Sequence, residues 1–132
     1  MEKLISGIHH AALKCCGEEK FKETVAFYRD VLGMELLRAW GEGRHGGAML
    51  DTGAGRIEIF VDGKDEPGQG AVRHIALATD DVDACVSAVR TAGYEITREP
   101  MDVTIPSQPP FPIRCAFCIG PVGEEIEFFC EK

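Results

Sequence analysis

Residues 8–13 read IHHAAL and residues 72–77 read VRHIAL, and the two lie at the start of two similar halves of one chain. Comparing the chain with itself from this pair outward decides its architecture. After the first stretch comes an amphipathic helical pattern with apolar residues at Phe21, Val25, Tyr28 and Leu32. After the second come Val82, Cys85, Val86 and Val89 at the same kind of spacing. Each helix runs into a glycine, Gly33 or Gly93, where a left-handed cap is expected. GMELLR at 33–38 then matches GYEITR at 93–98, and each half closes on a strand, RIEIF at 56–60 and EIEFF at 125–129.

Period-2 segments near 46–51 and 113–119 supply the remaining strands, so each half reads strand, helix, three strands. The predicted fold class is α+β, with two βαβββ modules over about 5–62 and 71–131 making one domain across residues 1–132. The polar, glycine-rich stretch from Asp62 to Gly70 is the expected boundary between them. IPSQPPFP at 105–112 carries four prolines and is expected to be a shaped loop with no regular element.

The totals exclude several classes of function. A formal net charge of -8 disfavours a nucleic-acid partner, whose phosphates need a basic face. No apolar run is long enough to span a bilayer, and MEKLISGIHH lacks the apolar core of a secretion signal, so the expectation is a cytoplasmic protein without membrane contact. The six cysteines fall within apolar strand and helix patterns and are expected to be reduced. Cys115 and Cys118 have the spacing of half a zinc clip, but no second pair follows, so core packing is the expectation.

Strand alternation separates the adjacent histidines. Aligning the halves on Ala12-Leu13 and Ala76-Leu77 sets His10, not His9, opposite His74. In the closing strands Glu58 stands between Ile57 and Ile59, and Glu127 between Ile126 and Phe128. With the apolar neighbours packed under the helices, each glutamate is left on the other face of its sheet. One histidine and one glutamate from each half are thus expected to point toward a common concave surface. His10, Glu58, His74 and Glu127 make a suitable ligand set for a divalent ion such as nickel, cobalt or zinc. The alternative is that the histidines are satisfied strand residues and the glutamates solvated charges. That alternative must explain why both residue types recur at matching places, and why carboxylates sit in apolar strands. His9 and His45 are expected to be surface or packing residues. Trp40 is a core residue or a pocket wall.

The residues HHAALK, FYRDVLGMELLR at 27–38, IEIF at 57–60, HIALATDDVDA at 74–84, ITREP at 96–100 and GEEIEFF at 123–129 carry a further observation. Together they make the chain resemble the vicinal-oxygen-chelate superfamily of glyoxalases, bleomycin-resistance proteins and extradiol dioxygenases, and glyoxalase I within it. The resemblance implies paired βαβββ modules curving into an open, barrel-like sheet around one divalent metal. It also implies a homodimer in which ligands from one module of each chain meet, although a site within one chain stays open. The implied activity is that of a lactoylglutathione lyase. Proton transfer through an enediolate, whose oxygens a Lewis-acidic ion stabilises, would turn the hemithioacetal of methylglyoxal and a thiol into a lactoyl thioester. Glu127 would be the catalytic base, with Glu58 a ligand and a second catalytic carboxylate. Lys14 would be substrate-binding: it takes the place of an arginine that grips glutathione in the family. Asp62 stands where the family often has Asn, and Gly120-Pro-Val-Gly123 replaces the usual Asp-Pro-Asp-Gly turn. Two other readings within the superfamily are a non-catalytic binder of an antibiotic or other small molecule, and an epimerase of the methylmalonyl-CoA type.

Overall fold

The computed structural model describes residues 6, 8–64, 70 and 72–132, so most of the expected boundary segment lies outside the described residues. The first module runs β1 (His10–Lys14), α1 (Glu18–Ala26), a π-helical turn (Phe27–Val31), β2 (Glu35–Trp40), a 3-10 turn (Gly43–His45), β3 (Gly47–Asp51) and β4 (Arg56–Phe60). The second runs β5 (Ile75–Ala78), α2 (Val82–Thr91), β6 (Ile96–Ile105), β7 (Phe111–Ile119) and β8 (Glu125–Glu131). The order strand, helix, three strands is therefore repeated as expected. Each module forms a four-stranded mixed sheet, β1-β4-β3-β2 and β5-β8-β7-β6, and the two sheets are open, not joined into a closed barrel.

Local chemistry sets the helix ends. Asp81 accepts a hydrogen bond from the Ala84 backbone N–H and caps α2. The N-terminus of α1 has no side-chain cap, and Glu18 and Glu19 in its first turn offset the positive end of the helix instead. Gly33 and Gly93 have φ of 76° and 90°, the left-handed conformation that ends both helical segments. The π-turn widens the end of the first helix, so that the adjacent side chains of Phe27 and Tyr28 both enter the core.

A single apolar cluster runs through both modules. It takes Val25, Leu50, Ile57 and Ile59 from the first, and Val86, Val89, Ile126 and Phe128 from the second. The helical layer makes the seam. Phe27 packs edge-on against Tyr94 with ring centroids 4.7 Å apart. Across the same seam the Tyr28 hydroxyl donates to Glu124 at 2.8 Å, and the Tyr94 hydroxyl donates to Glu23 at 3.2 Å. The opposite faces of both sheets are turned away from this cluster.

Three expectations need correction. The proline-rich segment is not wholly a loop, because β6 extends through Ile105 and β7 begins at Phe111 with Pro112 inside it, opposite Thr104. A proline fits there because it stands at the start of the strand, and its carbonyl still accepts from the Lys132 N–H at 3.1 Å. Trp40 is not a core residue. It is 37% exposed, lies flat over Gly47 and meets Phe60 edge-on at 6.2 Å. His9 does not stand apart from His10, because the two rings are in contact. The cysteines do conform: all six are free thiols, with Cys115 and Cys118 buried in the core.

Candidate metal centre

Pairing registers place the candidate ligands. In the parallel β1–β4 ladder Ala12 stands opposite Glu58, and in the parallel β5–β8 ladder Ala76 stands opposite Glu127. His10 and His74 each lie two residues before that alanine, so the duplicated sequence becomes a duplicated geometry. Ile57, Ile59, Ile126 and Phe128 are buried on the helix side, and the intervening Glu58 and Glu127 emerge on the other face.

There each histidine meets its own glutamate. His10 Nε2 lies 3.3 Å from Glu58 Oε1, and His74 Nε2 lies 3.3 Å from Glu127 Oε1. Exposure repeats as well: both histidine side chains are 39% exposed, against 15% for Glu58 and 12% for Glu127. Two donors at this separation span neighbouring positions of a shell whose bonds to nitrogen and oxygen are about 2.1 Å long. An imidazole nitrogen and a carboxylate oxygen suit a borderline divalent ion. Each half thus holds a preformed pair.

The two pairs do not form a quartet within one chain. Among the described residues no group of three or more His, Cys, Asp or Glu side chains is placed to hold a metal ion. His10 and His74 border one cleft of about 470 Å³ with Leu13, Lys14, Val122 and Glu124, but Glu58 and Glu127 lie outside its lining. Each module carries its own His–Glu pair.

Lys14 continues the site face of β1 two residues beyond Ala12, and its ammonium sits 3.5 Å from Asp62. Its charge is therefore already answered within the chain. In the second module Phe117, cross-strand neighbour of Glu127, packs edge-on against the His74 ring at 5.6 Å, and the Arg98 guanidinium lies over the Phe117 ring, 6.0 Å from its centroid.

Sequence reasoning missed two neighbours of the ligands. Glu125 Oε1 lies 3.9 Å from His74 Nδ1, and His9 Nδ1 lies 3.0 Å from His10 Nδ1. Glu125 was legible in principle, since the alternation that turns out Glu127 also turns out the residue two before it. His9 precedes the strand and obeys no alternation. His45 lies exposed in the 3-10 turn, away from the described pairs.

Paired βαβββ modules, each carrying a histidine and a glutamate at one register, define a duplicated α+β fold. A sequence model of the Glyoxalase/Bleomycin resistance protein/Dioxygenase superfamily matches residues 7–109, and the chain belongs to that superfamily. It is similar to a lactoylglutathione lyase of Haemophilus influenzae, with 35% identity over 117 residues covering 83% of each chain. Among solved structures it superposes on a putative glyoxalase family protein from Bacillus anthracis with a TM-score of 0.72, over 100% of both chains at 24% identity. A glyoxalase I mutant from Zea mays gives a TM-score of 0.68 at 28% identity, over 91% of this chain and 43% of that one. Among the described residues no helix is long and apolar enough to cross a membrane.

Proposed function

We propose that the chain is a metal-dependent lyase of glyoxalase I type acting on the hemithioacetal of an α-ketoaldehyde such as methylglyoxal and a thiol. The observation that carries this reading is the repeated 3.3 Å His–Glu pair on the outward faces of two equivalent modules. Two pairs that do not meet within one chain become one four-donor site when the first module of one chain faces the second module of its partner. The working unit is then a homodimer. His10 and Glu58 come from one protomer and His74 and Glu127 from the other, around one nickel, cobalt or zinc ion per site. Exposed Trp40 on the first module and Met101 on the second suit such a covered face.

Held by His10, Glu58, His74 and Glu127, a divalent ion would supply Lewis-acid stabilisation of negative charge on the substrate. The chain's own residues do the rest. Glu127 takes the hydrogen from the thiol-bearing carbon as a proton and delivers one to the neighbouring carbon. The hydroxyl proton passes from the oxygen on the thiol-bearing carbon to the former carbonyl oxygen, so the former carbonyl carbon carries the hydroxyl and the thiol-bearing carbon becomes the thioester carbonyl. No redox partner is needed. Glu58 acts as a ligand and as the carboxylate on the opposite face of the substrate. Phe117 and Phe60 flank the two glutamates and limit the access of water. Lys14, tied to Asp62, leaves little free positive charge for a carboxylate on the thiol, so a thiol other than glutathione fits this end of the site better.

Metal analysis of the purified protein, with an assay on methylglyoxal hemithioacetals of several thiols, tests the proposal. One divalent ion per chain and conversion of at least one hemithioacetal support it. Protein that takes up no stoichiometric ion from metal-supplemented medium contradicts it and favours a metal-free binding module.

A further inference from the structure

The ring nitrogens turned away from the glutamates have partners of their own. His10 sets Nε2 toward Glu58, while its Nδ1 lies 3.0 Å from Nδ1 of His9, with the rings edge to face at 85°. His74 sets Nε2 toward Glu127, while its Nδ1 lies within ion-pair range of Glu125, at 3.9 Å. A neutral imidazole carries one hydrogen, on one nitrogen, and a lone pair on the other. A histidine that offers Nε2 to a cation must therefore keep its hydrogen at Nδ1, and a neighbour must accept it.

We propose that His9, as the acceptor for His10, and Glu125, as a negative charge 3.9 Å from His74 Nδ1, are positioning residues that favour the hydrogen at Nδ1 of each histidine, so that each Nε2 lone pair is free beside its own glutamate. The inference rests on the metal reading above and adds to it an outer partner for each ligand.

The two partners are chemically unlike. The Glu125 oxygen lies beyond hydrogen-bond range of His74 Nδ1, so it acts through its charge, which favours a hydrogen at that ring nitrogen. His9 works in either direction, because two Nδ1 atoms 3.0 Å apart share a single hydrogen. If His9 donates, the hydrogen of His10 sits on Nε2 against Glu58 and that nitrogen is closed to a cation. If His10 donates, Nε2 is open. The change conserves hydrogens: the shared one passes from His9 to His10, His10 gives up one at Nε2, and His9 gains one at Nε2 from water. The second-module half-site is therefore biased toward the ligand tautomer, whereas the first-module half-site is open to a cation only in the tautomer in which His10 donates to His9.

Co2+ titration at one fixed pH, followed by calorimetry and by the visible spectrum of the bound ion, tests this without any turnover assay. His9 is exposed, so His9→Ala is expected to melt like the wild type but to bind Co2+ about 10–100-fold more weakly, with a shifted spectrum. His9→Gln, whose amide oxygen can accept from His10 Nδ1, is expected to recover most of the affinity. Glu125→Ala and Glu125→Gln both remove the charge and are expected to weaken binding alike at the second half-site. Wild-type affinity and spectrum in both alanine variants would overturn the inference alone, as would equal losses in His9→Ala and His9→Gln. A wild-type protein that takes up no Co2+ would overturn the metal reading and the inference with it.

Discussion

Nε2 of His74 lies 3.3 Å from Oε1 of Glu127, and His10 and Glu58 repeat that distance in the other half of the chain. Both contacts grow from one construction. A parallel pair of strands sets an alanine opposite the glutamate, and the histidine two residues earlier comes round to the same face. Burial of the flanking Ile and Phe side chains under the helices holds each carboxylate outward. Fold and site are therefore the same fact seen at two scales.

If Glu127 moves the proton, Glu127→Gln removes the base and leaves the shape. Turnover is expected to fall by about 10²- to 10⁴-fold with melting temperature retained, read on the hemithioacetal that the wild type converts best. Undiminished turnover would show that another group carries the proton.

Glu124 gives a prediction about pH. Its carboxyl accepts from the Tyr28 hydroxyl at 2.8 Å and from the Val122 N–H at 2.9 Å, and burial holds its pKa above the ordinary 4.5. A raised folded-state pKa means that the acid form is favoured on folding. The stability it contributes is complete below about pH 4.5 and is lost as pH rises through the folded value. Glu124→Gln stays neutral and keeps an oxygen for Tyr28. It should therefore melt above the wild type near pH 8 and lose that advantage near pH 4, as thermal denaturation across pH would record. A pH-independent difference would contradict the assignment.

The Lys14–Asp62 pair bears on which thiol is used. Asp62→Asn frees the ammonium, and KM for a hemithioacetal of an anionic thiol such as glutathione is expected to drop about fivefold with kcat little changed. For a neutral thiol the substitution should make little difference. Equal effects on both would place the thiol away from this end of β1.

Much of the fold and the placing of each histidine beside its glutamate are legible in the amino-acid sequence, because the repeat is carried by local patterns. Alternation around Glu58 and Glu127, the glycines at 33 and 93, and the shared Ala-Leu after each histidine are all short-range signals. What escaped depended on contacts between distant residues or outside regular elements. Pro112 is tolerated in β7 because of where the ladder starts, a matter of pairing and not of local propensity. The contact of His9 with His10 arises just before β1, where strand geometry no longer separates neighbours. The meeting of the two modules rests on a seam of Phe27, Tyr28, Tyr94 and Glu124. The sequence marks those residues as apolar or polar, but not as partners across 96 positions.

The central claim is that one ion is held by the first module of one chain and the second module of another. Metal analysis of a co-expressed mixture of His10→Ala and His74→Ala chains tests it most directly. Each variant alone should bind no stoichiometric ion, having one damaged half in every site. In a mixed dimer the intact halves meet at one of its two sites, so the mixture should recover about a quarter of the wild-type metal content, given random pairing of chains. If the mixture holds no more metal than the separate variants, the shared site is contradicted.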